Sequence, residues 1–360
     1  MAGTVVFLGA GATKSCGGPL TNEILPAIMS TTDPSSSVLQ EFLTTLFHVD
    51  SGLSKELYPG LPLVMSLVDT ALNRRETFHP QWDTKRLSEV REAVELGIFD
   101  RLEEKLNTAP TTNHYTLLEK VFPPPAEPRI ISTNYDLLID TALMFHSQGL
   151  GGPNGDGFLP DYRCGIQTDF YRNSPRFGTL LKLHGSLNWL YCKTCHSLEF
   201  GASESVKFLK ILTSVVGRPT LKQSYTADGS ECQVCKCQTK FRPLLIAPSH
   251  LKDYVNPHLA QVWYQAEHLL REAGRVIFIG YSLPEDDVEV TYLLKRSLAR
   301  GTGQTPVAIT VVDYAPKGQN FRDNAVFCRY RALFGDVVDW HPEGLDDWLE
   351  QQVAAAAAAN

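Results

Sequence analysis

The chain has 360 residues, enough for two domains or one large domain carrying an insertion. With 43% hydrophobic and 20% charged residues it can bury a sizeable core, which excludes general disorder. A net charge of −7 argues against a protein that coats nucleic acid non-specifically, so direct nucleic-acid binding is not expected.

No apolar run approaches the ~20 residues that span a bilayer. The start, Met1 to Gly9, lacks the basic region of a signal peptide, so a cytoplasmic location is expected. Residues 4–8 (Thr-Val-Val-Phe-Leu) read as a buried strand that feeds a glycine turn, Gly9-Ala10-Gly11-Ala12-Thr13. A strand, a glycine turn and a helix opening together suit a phosphate site made of backbone N–H groups. The full dinucleotide fingerprint is absent, because Lys14 stands where a third glycine would be, and a plain tight turn fits the same residues.

Apolar residues at three- and four-residue spacing predict helices over Thr21–Ser30, Ser37–Val49, Leu61–Arg75 and Thr84–Leu106. Four consecutive helices do not fit simple strand–helix alternation and read as a helical insertion, about 20–122. A further helix, Asn113–Phe122, closes at Pro123-Pro124-Pro125. Arg129–Ser132 then reads as a buried strand ending in Thr133-Asn134-Tyr135-Asp136, ahead of a helix over Leu137–His146. Polar residues at such a strand end stand where open α/β sheets bind ligands, and they fit a helix cap equally well. Residues 147–178, rich in Gly, Pro, Asn and Asp, read as a long loop.

Leu180 to Leu183 is a short apolar strand that ends in His184-Gly185-Ser186 and runs on into Cys192-x-x-Cys195. A second unit, Cys232-x-x-Cys235, follows 36 residues later. Two such pairs supply four thiolates at tetrahedral reach and point to structural zinc held by Cys192, Cys195, Cys232 and Cys235. Cys237 and His196 are spare donors. Residues 192–242 carry eight Lys or Arg against four Asp or Glu, so this module is locally basic. Buried strands are then predicted over Leu244–Pro248, Arg275–Gly280 and Pro306–Asp313, with a possible last strand at Val337–Trp340. Helices are predicted over Asn256–Ala273, Asp287–Arg300, Gln319–Arg329 and Leu345–Val353. The acidic run Glu285-Asp286-Asp287 suits a first helical turn. Ala354–Ala359 reads either as frayed helix or as an artificial tail.

These pieces together resemble the sirtuin family. The matching motifs are Gly9-Ala10-Gly11-Ala12-Thr13, Thr133-Asn134-Tyr135-Asp136, Lys182-Leu183-His184-Gly185-Ser186, the paired Cys-x-x-Cys units and Gly280-Tyr281-Ser282-Leu283, in the family's order. The resemblance implies an α/β fold, a Rossmann-like parallel sheet with a helical insertion and a small inserted zinc-knuckle module. Residues 1–190 and 243–353 would form the NAD-binding domain, 191–242 the zinc module and 354–360 the tail. It implies NAD+ as substrate, with Gly9, Ala10, Gly11, Ala12 and Thr13 near the pyrophosphate. Asn134 and Asp136 would stand beside the nicotinamide ribose, together with Thr133. His184 would be the base. Gly280 and Ser282 would lie by phosphate or ribose, and Asp313 by the adenosine ribose.

The departures bear on the acceptor. Deacylases of the family follow the glycine turn with Pro-Asp-Phe-Arg, whereas this chain has Gly17-Gly18-Pro19-Leu20-Thr21. Their Phe-Gly-Glu segment is replaced by Ala247-Pro248-Ser249-His250-Leu251-Lys252. The chain therefore resembles the NAD-hydrolysing sirtuin-like proteins of prokaryotic antiphage defence. That implies an NAD+ glycohydrolase, a homo-oligomer, and a partner protein or phage-derived activator. Alternative readings are an NAD-dependent deacylase or ADP-ribosyltransferase, and a non-catalytic sensor of NAD or ADP-ribose.

Overall fold

A computed structural model of the chain describes residues 3–50, 52–106, 112–148, 158–201, 230–239, 242–246, 256–299, 305–316, 318 and 320–358. Two compact units emerge, one from Met1–Gly17, Thr108–Leu245 and Val255–Asn360, the other built on Gly18–Asn107.

The first unit is organised on a seven-stranded sheet. Its strands are β1 (Gly3–Leu8), β2 (Arg129–Ser132), β3 (Leu159–Asp161), β4 (Arg176–Lys182), β10 (Ala273–Ile279), β11 (Ala308–Val312) and β12 (Val338–His341). The order is β12-β11-β10-β1-β2-β4-β3, and every pairing is parallel. Parallel strands covered on both faces carry apolar side chains at consecutive positions. Val5 to Leu8 and Val276 to Ile279 show this, each at most 1% exposed. The chain runs outward one way from β1 to β2 and the other way from β10 to β11, so the order reverses between β1 and β10. This is the Rossmann-like arrangement, and the reversal leaves a crevice beyond the carboxyl ends of those two strands.

The helices of this unit are α1 (Ala10–Lys14), α6 (Thr112–Val121), α7 (Leu138–Gln148), α8 (Asp169–Asn173), α9 (Pro257–Arg271), α10 (Val288–Leu298), α11 (Ala325–Phe334) and α12 (Gly344–Ala358). The sequence reading attached α6 to the insertion. Here it packs on α7 and α12 within the sheet-bearing unit. Residues 158–178, expected as loop, contain β3, α8 and the start of β4. β3 is only Leu-Pro-Asp, and its proline is tolerated because the strand lies at the sheet edge. The glycine-rich run 149–157 lies outside the described residues.

After β4 the chain leaves the main sheet. Leu183 and His184 form a two-residue turn, and β5 (Gly185–Tyr191) enters a small antiparallel sheet between β6 (Leu198–Phe200) and β9 (Arg242–Leu245). Gly185 has φ 83°, and a Cβ there would lie 1.9 Å from the Leu244 oxygen. Only glycine accepts both constraints. A two-stranded ribbon, β7 (Ser230–Glu231) with β8 (Gln238–Thr239), carries the second cysteine pair.

The second unit is helical: α2 (Ile24–Met29), α3 (Ser37–Phe47), α4 (Leu61–Arg74) and α5 (Thr84–Leu106). Each has apolar residues facing its neighbours, and α5 packs on the other three. Trp82 is fully buried, edge-on to Phe42 at 5.1 Å, with the Arg86 guanidinium 4.5 Å above its ring. No described helix is long and apolar enough to cross a membrane.

Candidate active site at the strand tips

The glycine turn follows the tip of β1, and its glycines are required by backbone contact. A Cβ on Gly9 would meet the Gly280 oxygen at 2.6 Å, and one on Gly11 would meet Gly280 Cα at 2.6 Å. Gly280, at φ 59°, would in turn drive a Cβ to 2.2 Å from the Ala12 nitrogen. The two strand tips interlock across the switch point. Gly9 N donates to Ile279 O at 3.0 Å and Gly11 N to Gly280 O at 2.8 Å. Those two N–H groups are therefore spent inside the protein, and in this conformation they are not part of a phosphate cradle.

The residues after β2 converge on the same turn. Asn134 Nδ2 donates to Gly9 O and to Thr13 Oγ1, both at 2.9 Å. Thr13 Oγ1 donates onward to Asp136 Oδ2 at 2.6 Å. The other oxygen of Asp136 accepts from Leu138 N at 3.0 Å, at the start of α7. Asp136 is buried, with both oxygens engaged within the protein, so it acts on the site through Thr13. Both Nδ2 protons of Asn134 are used by protein acceptors. What Asn134 can offer a ligand is its carbonyl oxygen, an acceptor for a hydroxyl or a water. Thr133 donates through N and Oγ1 to Leu8 O, at 3.0 and 3.3 Å, which pins the β2 tip to β1.

A buried ionic network lies beneath this turn. Lys182, with no exposed surface, donates through Nζ to the backbone oxygen of Asp136 at 2.5 Å and to Asp140 Oδ2 at 3.1 Å. The Tyr162 hydroxyl donates to Asp140 and accepts from Asn188 Nδ2 at 3.1 Å. Burial pushes the Asp140 carboxyl up, and the Lys182 charge pulls the other way.

His184 stands in the turn after β4, 8% exposed. Trp263 Nε1 donates to Leu183 O at 2.9 Å and steadies that turn from α9. His184 Nε2 lies 3.4 Å from Asp287 Oδ1, within ion-pair reach but outside hydrogen-bond geometry. Asp287 is the residue that precedes α10, yet it makes no side-chain cap. Its carboxylate instead accepts from the Tyr281 hydroxyl at 2.7 Å and faces His184. Asp287 thus stands at the helix N-terminus, as the acidic run in the sequence suggests, and its charge also faces an imidazole.

On the other side of the crevice, the Ser282 side chain is exposed, and its backbone oxygen accepts from Arg329 Nε and Nη2 at 3.0 and 2.8 Å. Asp313 follows β11 and is half-buried. Burial pushes its carboxyl up, opposed by the Tyr314 amide and the Arg329 charge. Gly9 to Thr13, Thr133 to Asp136, His184, Gly280, Ser282 and Asp313 thus all follow the carboxyl ends of five adjacent strands. The segment Ala247–Lys252 lies outside the described residues.

The cysteine module begins at the far end of β5, with Cys192 and Cys195, and the β7–β8 ribbon brings in Cys232 and Cys235. Sγ atoms of Cys192, Cys195, Cys232 and Cys235 lie within 4.8 Å of one another. Two measured edges are 3.9 Å (Cys192 to Cys235) and 3.7 Å (Cys195 to Cys232). A tetrahedral ion with Zn–S bonds of ~2.3 Å separates its sulfurs by about 3.8 Å. The four thiols therefore fit zinc. His196 does not join them: its Nδ1 bonds the Tyr191 hydroxyl at 2.5 Å.

No family model matches the chain, and no curated protein does. The chain is similar to Sir2-type structures. One, a Sir2 homologue in complex with NAD, is 14% identical with a TM-score of 0.48, covering 99% of this chain and 90% of that one. Another, from work on the mechanism and regulation of Sir2 enzymes, is 14% identical with a TM-score of 0.46, covering 100% and 94%.

Sequence reasoning missed Asp140, Tyr162 and Asp287 as parts of the arrangement. One signal was available. Lys182 interrupts the apolar run Leu180-Leu181-Lys182-Leu183, and a cation inside a buried strand needs a buried partner. The partner itself, 42 residues away, carries no sequence mark.

Proposed function

We propose that the chain is an NAD+ glycohydrolase. The reaction takes NAD+ and water to nicotinamide, ADP-ribose and a proton. The bond from the ribose anomeric carbon to the pyridinium nitrogen breaks, and the electron pair leaves with nicotinamide. The ribosyl carbon becomes oxocarbenium-like, and water adds to it. The nucleophile need not be strong, so the protein has to orient a water or hydroxyl and accept one proton.

The observation that carries this reading is the placement of an acceptor amide, Asn134, and an imidazole facing a carboxylate, His184, just after the carboxyl ends of the neighbouring strands β2 and β4. Asn134 Oδ1 would hold the water or a ribose hydroxyl. His184 would take the proton, with Asp287 stabilising the charge it acquires. Thr13 and Asp136 hold Asn134 in place. Thr133, Gly280, Ser282 and Asp313 line the remaining strand tips along which a dinucleotide would lie. Cys192, Cys195, Cys232 and Cys235 would hold zinc in a structural role. The sequence departures from the deacylase pattern favour water over an acyl-lysine as acceptor. Depletion of NAD+ in antiphage defence, by an oligomer awaiting a partner or phage signal, is the biological setting that this reading implies.

The test is direct. Purified protein is incubated with NAD+ and no acylated peptide, and nicotinamide is followed by chromatography. Steady release that vanishes in Asn134→Ala and His184→Ala is expected. Release only when an acyl-lysine peptide is added would replace hydrolysis with deacylation.

A further inference from the structure

The two cysteine knuckles repeat the same backbone. In the first, His196 N donates to Cys192 O at 2.9 Å, and Cys192 N donates to Ser197 O at 3.0 Å. In the second, Lys236 N donates to Cys232 O at 2.9 Å, and Cys232 N donates to Cys237 O at 2.9 Å. His196 and Lys236, each just past the second cysteine, both have φ 60°. Cys237 is therefore the structural counterpart of Ser197. The equivalence extends to the side chains, which both turn to the sulfur cluster. Ser197 Oγ lies 3.1 Å from Cys195 Sγ and 3.6 Å from Cys232 Sγ. Cys237 Sγ lies 3.0 Å from Cys235 Sγ and 3.9 Å from Cys192 Sγ.

These distances decide what the fifth thiol can do. Cys192 is 3.9 Å from Cys235 and 3.9 Å from Cys237, and both separations match the about 3.8 Å edge of a tetrahedral zinc thiolate site. Cys235 and Cys237 are 3.0 Å apart, too close for two thiolates on one tetrahedral ion. They compete for one vertex; the four thiols within 4.8 Å of one another include Cys235 and not Cys237, so Cys237 reaches that vertex only by closing on Cys195 and Cys232 as Cys235 leaves. Cys235 is exposed and Cys237 half-buried, so neither is locked away by packing. Cys192 and Cys232 are buried, which makes the other side of the site the invariant one.

We propose that the fourth vertex of the zinc site is shared between Cys235 and Cys237, with the ion held by Cys192, Cys195, Cys232 and either one of the two. The exchange is a ligand substitution at a fixed oxidation state. One zinc–sulfur bond breaks as the other forms, and the proton released by the incoming thiol goes to the outgoing one. The first knuckle has no such reserve, because a serine hydroxyl occupies the matching position.

The test uses the full chain loaded with cobalt(II), whose thiolate charge-transfer band scales with the number of bound thiolates, and with zinc for stoichiometry by mass spectrometry. Cys235→Ala and Cys237→Ala should each keep one metal per chain and the full four-thiolate band. The double variant should lose the fourth thiolate. A band reduced by about a quarter, or lost metal, in either single variant would overturn the shared vertex. Unaltered protein provides a second arm that needs no variant to fold. After brief alkylation of the zinc-loaded chain, peptide mapping should find label divided between Cys235 and Cys237. Label confined to one of them would mean a fixed fourth ligand and reject the proposal.

Discussion

The Lys182 ammonium holds the Asp136 carbonyl at 2.5 Å, tying the tip of β4 to the turn after β2 from beneath. The same ammonium pairs with Asp140 at the start of α7. One buried cation therefore joins three elements that the site needs in register. Removing one partner of such a pair strands the other charge and costs about 3–5 kcal/mol. Lys182→Met should lose stability of that order in urea denaturation, while Lys182→Met combined with Asp140→Leu should lose less than the sum of the two single changes.

Thr13 relays Asn134 to Asp136. Thr13→Val keeps the shape, removes the hydroxyl and leaves Asn134 and Asp136 each short of a partner. A buried group without its partner costs about 1–3 kcal/mol of stability, and nicotinamide release should fall as Asn134 loses its fixed position. Thr13→Ser should retain most of the activity. Steady-state rates for the two variants check this.

Asp287 faces His184 and is backed by Tyr281. A positioned general base is worth about 10²–10⁴-fold, and its partner a share of that. Asp287→Asn should lower kcat by about tenfold or more with little change in KM, and Tyr281→Phe should have a smaller effect of the same kind. A KM effect without a kcat effect would remove Asp287 from the catalytic arrangement.

His114 and Cys16 form a buried pair, with Cys16 Sγ 3.6 Å from His114 Nδ1. Burial lowers the His114 pKa and raises that of Cys16, so the pair is neutral, not a thiolate with an imidazolium. A depressed imidazole pKa gives stability that is present above the unfolded value of about 6.5 and lost as pH falls below it, by up to about 1.4 kcal/mol per unit. Melting temperatures between pH 7 and pH 5 should therefore fall more steeply for the unaltered chain than for His114→Gln.

Much of the sheet was legible because parallel strands buried on both faces leave unbroken apolar runs, as in Val5–Leu8 and Val276–Ile279. The switch-point residues were legible because glycines and polar residues directly follow those runs. β3 was not, since three residues with a central proline carry no periodicity. The break between β4 and β5 was hidden for a different reason. His184-Gly185 reads as a strand tip, and only the tertiary contact of Gly185 with Leu244 reveals the turn into a second sheet. Asp287 was legible as an acid at a helix start, but its contacts with Tyr281 and His184 come from tertiary structure and leave no mark in the sequence.

Gly280 is a point of close backbone contact between the tips of β10 and β1. Gly280→Ala would place a methyl between backbone atoms at 2.2 and 2.4 Å, at a φ that disfavours side chains, with no flexible neighbour to yield. A loss of roughly 2 kcal/mol or more is expected, visible in thermal melting.

The stretch from Gly280 to Asp287 grips the glycine turn at one end and faces the imidazole at the other. Between those ends, Arg329 of α11 holds the Ser282 oxygen and the Tyr330 hydroxyl holds the Tyr281 oxygen. A load on α11 would therefore be carried to the Gly280 end and the Asp287 end of the stretch together.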